Sequence, residues 1–222
     1  MELIADQIAG HLLDIGAVKV KTDPPFTWAS GIKSPVYCDN RRLISYPEHR
    51  KAVVEAWKTV LKEKVAKGEL KMPDVIGGTA TAAIPWAAFL AYELNLPMIY
   101  IRPEPKDHGA GKQVEGDLKA GQTVLIVEDL ISTGGSSVKA AEAVRREGPA
   151  TVTDIFAIVS WELPKAVPAF KDAGITLTYL TGFKSLIGLA AKRGSIKPEQ
   201  EAVVLQFKED PPAWGQKIGI RS

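Results

Sequence analysis

The apolar residues of the chain follow two spacings, one typical of helices and one typical of strands. Ile4, Ile8, Leu12 and Ile15 recur every three or four residues, which predicts an amphipathic first helix. Gly16 follows and is well placed to end that helix. Later stretches place short apolar runs between glycines and prolines, which is the pattern of strands and turns.

Residues 18–44 lack a helical period and combine β-branched and aromatic residues with prolines and glycines. This pattern predicts short strands or a hairpin that form a small cover on the main body. A second helix follows, where Ser45 and Glu48 have the spacing of a capping box and Pro47 suits the first turn. Its buried stripe is predicted to consist of Val53, Trp57, Val60, Leu61 and Val65.

Strand-like and helix-like stretches then alternate. They are 74–95 (strand, glycine turn and helix), 97–103 (strand), 123–148 (strand and helix), 152–160 (strand), 164–174 (short helix) and 175–181 (strand). This alternation predicts an α/β fold with a mostly parallel central sheet flanked by helices. In such sheets, ligands bind in the crevice beyond the carboxyl ends of the strands.

Two segments depart from the alternation. Residues 104–121 have no apolar period and contain many charges and glycines, which predicts a long exposed loop of the kind that often has a function. Residues 182–222 are predicted to be mainly helical, and Pro211 and Pro212 are expected to end the last helix.

Most of the candidate functional side chains lie in the stretch VLIVEDLISTGGSS, residues 124–137. Residues 124–127 predict a central strand, and Glu128 and Asp129 come at its carboxyl end. Adjacent carboxylates repel each other and are costly to bury, unless sugar hydroxyls or a divalent cation compensate. The turn at 132–137 is rich in hydroxyls and glycine and leads into a helix, whose N-terminus favours anions. Acids beside an anion cradle describe a ribose 5-phosphate site.

The simpler interpretation of this stretch is a strand that ends in a solvated acidic turn with a helix cap. Other nucleotide motifs are excluded, because the stretch lacks both the G-x-x-x-x-G-K-[ST] pattern and the G-x-G-x-x-G pattern. A glycosidase pair is disfavoured, since two adjacent acids on one turn do not readily flank a scissile bond across about 5 Å or more.

Composition narrows the class of protein. The length of 222 residues suits one domain over 1–222, with an N-terminal hood of about residues 1–45 packed on the core. A net charge of +2 indicates no nucleic-acid partner. Cys38 is the only cysteine, which excludes an internal disulfide. No apolar run is long enough for a membrane span, and the acidic N-terminus is unlike a secretory signal, so we expect a cytoplasmic protein.

The stretch 124–137 resembles the phosphoribosyl-pyrophosphate (PRPP) motif of type I phosphoribosyltransferases. FTWASGIKSPVYCDNR (26–41) and RPEPKDHGAGKQVEG (102–116) resemble the substrate segment and the catalytic loop of the orotate phosphoribosyltransferases. GGTATAAIP (77–85) resembles their pyrophosphate-binding turn. The resemblance implies the type I phosphoribosyltransferase fold. It also implies transfer of phosphoribosyl from PRPP to orotate with Mg²⁺, giving orotidine 5′-monophosphate and pyrophosphate in pyrimidine synthesis. A homodimer is implied in which loop 102–116 reaches the partner's site.

The motif matches imply roles residue by residue. The residues implied to be catalytic are Lys106, His108 and Asp129. The residues implied to bind PRPP are Arg102, Lys106, His108, Thr79, Ala80, Glu128, Asp129, Leu130, Ile131, Ser132, Thr133, Gly134, Gly135 and Ser136. No direct metal ligand is expected, because Mg²⁺ would be held mainly through PRPP and water near Glu128 and Asp129. The alternative for residues 102–116 is a solvated charged loop. The alternative for residues 77–85 is a plain strand-to-helix turn.

The residues implied to bind orotate are Tyr37, Lys33, Arg41 and Ser132. A half-buried strand tyrosine is the alternative for Tyr37, and surface solvation is the alternative for Lys33 and Arg41. One branch of the family has basic residues where this chain has Ala29, Ala82, Pro103 and Leu163. This chain instead resembles a branch with TWASG and GTATA signatures.

Two other functions are compatible with a PRPP site. One is a PRPP-binding regulator, which is expected to lose the loop cations or gain a basic surface. The other is a phosphoribosyltransferase for another base such as adenine, against which the stretch 26–41 argues. Lys106 and His108 are present and the net charge is balanced, so the enzyme is preferred.

Overall fold

The computed structural model of the chain describes residues 2–28, 31–105 and 111–219. Within them, six strands form a central sheet in the order β10-β9-β8-β5-β6-β7. All neighbouring pairs are parallel except β6 with β7. The strands are β5 Val75–Thr79, β6 Met98–Ile101, β7 Val114–Glu115, β8 Val124–Ile131, β9 Asp154–Ser160 and β10 Thr176–Gly182. The predicted mostly parallel α/β sheet is confirmed.

Helices cover both faces of this sheet. Leu125 and Val127 of β8 pack into one buried apolar cluster, while Val124 and Ile126 pack into the other, as expected for a central strand whose side chains alternate. The helices are α1 Glu2–Asp14, α2 Pro47–Ala66, α3 Ile84–Leu94, α4 Gly135–Glu147, α5 Ala166–Asp172, α6 Phe183–Lys192, α7 Pro198–Leu205 and α8 Pro211–Lys217. Burial of β8 on both sides places its carboxyl end at the centre of one edge of the sheet.

The hood contains two small antiparallel sheets, as its composition predicted. β1 (Val18–Val20) pairs with β4 (Val36–Cys38), and β2 (Phe26–Thr27) pairs with β3 (Lys33–Ser34). A 3-10 helix, Asn40–Ser45, connects β4 to α2 and contacts β8 of the main sheet. The hood is therefore attached directly to the strand that carries the two acids.

The structure corrects two predictions about helix ends. Ser45 belongs to the 3-10 helix, and α2 starts after Tyr46 without a side-chain cap, so the predicted capping box is wrong. Pro211 and Pro212 begin α8 and do not end a helix, because proline suits the first turn, where the N–H groups have no helical partner. Asp210 caps that helix, accepting a hydrogen bond from the N–H of Ala213.

Two further predictions concern strands. The predicted loop 104–121 contains the short strand β7, which the sheet edge at β6 stabilises. β8 runs through Glu128 and Asp129 to Ile131, beyond the predicted end at Val127, because β9 continues to pair with it. The two acids thus lie inside the strand, which holds their backbone in extended conformation.

The glycines of 77–85 belong to β5, and the turn begins after them. A Cβ on Gly78 would lie 2.7 Å from the Cβ of Ala87 and 2.8 Å from the main-chain oxygen of Ala83. Glycine is therefore needed here for the close approach of α3 to the sheet. Among the described residues, no helix is long and apolar enough to cross a membrane.

Candidate functional site

A cavity of about 600 Å³ opens at the carboxyl ends of β5, β6 and β8, beside the first turn of α4. This is the edge at which open α/β sheets bind their ligands. Of the predicted site residues, the structure brings eight to its wall: Thr79, Ala80, Arg102, Glu128, Asp129, Leu130, Gly135 and Ser136. Eight residues that were selected from the sequence therefore share one cavity at the predicted edge of the sheet.

Glu128 is the most buried acid of the cavity, with 6 % of the residue exposed. Ser137 donates a hydrogen bond from Oγ to its Oε1 over 3.3 Å. Burial and, to a smaller extent, the charge of the neighbouring Asp129 raise the pKa of Glu128 to about 7, although hydrogen bonds from Thr79 and Ser137 oppose the shift. This carboxyl group can change its charge near neutral pH, when a ligand enters or leaves.

Asp129 lies beside it and also has a raised pKa, because burial disfavours its charge. Hydrogen bonds from its own N–H and that of Leu130 oppose the shift, as does the positive charge of Arg41. Its main-chain oxygen accepts a hydrogen bond from Nδ2 of Asn40 over 2.7 Å. Two partly desolvated carboxylates on one strand suit a ligand with several hydroxyl groups or a bound cation.

The turn after β8 leads into α4 through Gly134, which occupies the N-cap position with φ +83°. Glycine has no side chain to accept bonds from the first-turn N–H groups, so these groups are available to an anion. Gly134 is buried against the ring of Phe170, while Thr133, Gly135 and Ser136 are exposed at the helix start. Gly135 and Ser136 reach the cavity wall, whereas Ile131, Ser132, Thr133 and Gly134 are outside it.

A second turn borders the cavity at the end of β5. The N–H of Ala80 donates to the carbonyl of Ile101 over 2.7 Å, and that of Ala83 donates to Thr79 over 3.1 Å. These bonds hold the turn against β6. Thr79 and Ala80 therefore line the cavity from a fixed position.

The loop after β6 is anchored at both ends. Its first residue, Arg102, lines the cavity, and its Nη1 lies 3.8 Å from Oε1 of Glu115. At the far end, the carboxylate of Glu147 accepts hydrogen bonds from the N–H groups of Gln113 and Val114, the shortest contacts being 3.0 Å. Although burial opposes it, these bonds lower the pKa of Glu147. Lys106 and His108 lie outside the described residues.

The residues predicted to contact a base are in the hood. Tyr37 is 42 % exposed and its ring lies 5.8 Å from that of Phe26. Arg41 is exposed, bonded to Asp39 over 2.7 Å, and its charge reaches Asp129. Nζ of Lys33 is bound to Thr27 over 3.0 Å within the hood. The structure therefore places Arg41 close enough to Asp129 to act on its charge, which the sequence alone could not show. Tyr37, Arg41 and Lys33 do not line the cavity.

Sequence reasoning missed several residues of this region, and Lys139 and Asn40 are two of them. Lys139 lines the cavity, and helical spacing from Gly135 and Ser136 could have revealed it, since i+3 and i+4 lie on the same face. Asn40 is 2 % exposed and bonded to Asp129, which is 89 residues away. No local pattern indicates such a distant contact.

The acids of the cavity fit a magnesium ion that is also bound by the phosphates of a substrate. Among residues 2–28, 31–105 and 111–219, no group of three or more His, Cys, Asp and Glu could hold a metal. Mg²⁺ commonly binds through one or two carboxylates while water and substrate phosphates fill its other positions. Glu128, which is buried, and Asp129, which is half-buried, both line the cavity and match that requirement.

The sequence and the fold of this chain are similar to those of known proteins. Residues 48–168 match the family model described as the phosphoribosyl transferase domain. Orotate phosphoribosyltransferase of Streptococcus pneumoniae serotype 19F is 49% identical over 211 residues, covering 95% of this chain and 98% of that protein. The corresponding protein of Enterococcus faecalis OG1RF is 48% identical over 216 residues, covering 97% of this chain and 100% of that one.

A solved structure supports the same assignment. The crystal structure of orotate phosphoribosyltransferase from Aeropyrum pernix aligns with a TM-score of 0.69 and 32% sequence identity, over 84% of this chain and 98% of that one. Identity near one half over almost the full length of a curated relative, together with the shared fold, identifies the family. This chain belongs to the orotate phosphoribosyltransferase family of phosphoribosyl transferase domains.

Proposed function

We propose that this enzyme transfers the phosphoribosyl group of PRPP to orotate, giving orotidine 5′-monophosphate and pyrophosphate in pyrimidine biosynthesis. One observation carries the proposal: Glu128, Asp129 and the open N-terminus of α4 border a single cavity. The first two suit the hydroxyls of a ribose, and the helix start suits its 5′-phosphate. The relatives named orotate phosphoribosyltransferase supply the acceptor.

The reaction breaks the bond from ribose C1 to the pyrophosphate oxygen and forms a bond from C1 to a ring nitrogen of orotate. Positive charge develops on the sugar and negative charge on the departing pyrophosphate. Preorganised cations and N–H groups stabilise such charge best in a site from which water is excluded. Bound Mg²⁺ would supply further positive charge to the pyrophosphate oxygens.

The chain's residues divide this work by position. Arg102 and the turn at Thr79 and Ala80 would bind the pyrophosphate, since they face the cavity from β6 and β5. Lys106 and His108, on the loop that follows Arg102, would stabilise the leaving group. The first N–H groups of α4 would bind the 5′-phosphate. Tyr37 and Arg41 in the hood would contact orotate.

We also propose a cytoplasmic homodimer in which loop 102–116 of each subunit reaches the partner's site. The sequence resemblance supports the dimer. The sheet order supports it as well, because the loop joins β6 to β7 and β7 is the edge strand.

The direct test is the loss of orotate ultraviolet absorbance in the presence of PRPP and Mg²⁺. Turnover that requires all three components is the expected result. Adenine and uracil serve as control bases, and thermal denaturation with PRPP and each base reports binding without turnover. Turnover of another base, with none of orotate, would contradict the assigned acceptor. Thermal protection by PRPP without any turnover would point to a regulator.

The buried Glu128 predicts a pH dependence of PRPP binding. The ionised carboxylate of Glu128 accepts hydrogen bonds from ribose hydroxyls more strongly than the neutral acid, which predominates below its pKa of about 7. Binding through the ionised form then includes loss of a proton at low pH. The affinity for PRPP with Mg²⁺ should therefore rise about tenfold from pH 6 to pH 8. Isothermal titration at both pH values measures it.

Glu128→Gln is the matched control for this measurement, because the amide has the same shape and does not titrate. It should bind PRPP more weakly at pH 8 and show a smaller pH dependence than the wild type. The dependence that remains in the variant reports other titrating groups, including the phosphates of PRPP. An equal pH dependence in both proteins would rule out Glu128 as the titrating group.

A further inference from the structure

Asn40 connects the hood to the acidic strand, and both ends of its side-chain amide make hydrogen bonds. It begins the 3-10 helix after β4 and is 2 % exposed. Its Nδ2 donates to the main-chain oxygen of Asp129 over 2.7 Å, and its Oδ1 accepts from Sγ of Cys38 at 3.1 Å. Both ends of the amide are thus bonded within the interior, where an unpaired polar group is costly.

The hydrogen bond from Asn40 lies at the carboxyl end of β8. β5 pairs with β8 only as far as Val127, and the 3-10 helix contacts β8. Asn40 bonds to β8 two residues beyond that point, at the acid itself. The hydrogen bond therefore ties the hood to the part of β8 that faces the cavity.

The residues on either side of Asn40 face the same acid. Asp39 and Arg41 form an ion pair of 2.7 Å, and both charges act on Asp129, with Arg41 lowering its pKa and Asp39 raising it. Tyr37 lies three residues earlier, on β4. The short segment 37–41 thus carries the candidate base contacts. Its first two residues pair with β1 inside the hood, and Asn40 bonds it to β8.

We propose that Asn40 is a positioning residue that holds segment 37–41 on β8, so that the orotate contacts and the ribose acids keep a fixed spacing. The inference rests on the proposed function. It assigns Asn40 no contact with either substrate. Because this hydrogen bond joins the hood to the acidic part of β8, losing it should weaken the binding of both substrates.

Asn40→Ala and Asn40→Asp test the proposal. Alanine removes the donor, and aspartate keeps the size while placing a carboxylate against the carbonyl of Asp129. Each should raise KM for orotate about tenfold, as expected when a buried hydrogen bond loses one partner. The kcat should change by less than about threefold, and the affinity for PRPP should fall as well. Initial rates and titration of PRPP with and without orotate measure these effects.

Ser34→Ala is the matched control, since Ser34 is also buried in the hood and bonds only within it, exchanging hydrogen bonds with Val36 at 2.9 and 3.1 Å. It should lower Tm without raising KM for orotate more than about twofold. Equal KM changes in Ser34→Ala and Asn40→Ala would overturn the proposal, as would an Asn40→Ala effect confined to Tm.

The design separates the inference from the proposed function. If the wild type does not turn over orotate, the assignment of orotate as the acceptor is wrong. The positioning role of Asn40 is then tested by the dissociation constant of PRPP measured without orotate. A PRPP affinity that falls about threefold or more in Asn40→Ala, but not in Ser34→Ala, supports its link to Asp129. Equal PRPP affinity in the wild type and Asn40→Ala overturns the link.

Discussion

Replacing Lys106 by alanine is expected to lower kcat about 100- to 1,000-fold, the usual cost of removing one group that stabilises developing negative charge. The pyrophosphate gains charge as its bond to ribose C1 breaks, so a cation on it contributes more in the transition state than in the bound substrate. The KM for PRPP should therefore change much less than kcat. Initial rates over a range of PRPP concentrations, at saturating orotate and Mg²⁺, measure both constants.

Lys119→Ala is the control for this prediction. It removes the same charge from an exposed residue beyond the loop, and it tests whether net charge alone matters. Full activity in this variant together with the expected loss in Lys106→Ala assigns the effect to position. If Lys106→Ala instead raised KM for PRPP and kept kcat, Lys106 would be a ground-state binding residue.

Replacing Gly134 by alanine should weaken PRPP binding about 100-fold. Gly134 has φ +83°, which costs an alanine about 1–2 kcal/mol. Its new Cβ would also lie 2.5 Å from Cε2 of Phe170, a buried ring that has little room to move. Such overpacking costs about 1–3 kcal/mol and would displace the turn that begins α4. The first N–H groups of the helix would then no longer converge on a phosphate.

Gly121→Ala separates backbone strain from the clash. Gly121 has the same φ of +83°, its Cβ would meet no atom within 4 Å, and it lies before the amino end of β8. This variant should be destabilised by about 1–2 kcal/mol and bind PRPP normally. Chemical denaturation and titration of PRPP compare the two variants. Normal PRPP binding in a folded Gly134→Ala protein would show that the turn tolerates a side chain.

Local patterns in the sequence were enough to predict the architecture and to select residues that line one cavity. The alternation of apolar runs with helical spacings predicted a mostly parallel sheet, and the order of strand, acids, glycines and helix in 124–137 predicted an anion site at its carboxyl edge. These features are recoverable because each depends on residues close together in the chain. Predictions for helix ends were weaker, since Ser45 and Pro211 each fit a local rule that the neighbouring structure overrode.

Other properties depend on residues that are distant in sequence and meet only in the folded protein. The pKa of Glu128 is set mainly by burial beneath elements from several parts of the chain. The extension of β8 to Ile131 depends on pairing with β9. Asn40 contacts Asp129 because the hood folds back over the sheet, across 89 residues of sequence. The sequence by itself determined the types of group at this site. Tertiary packing decided their charge and their spacing, because desolvation and long-range hydrogen bonds exist only once the elements are assembled.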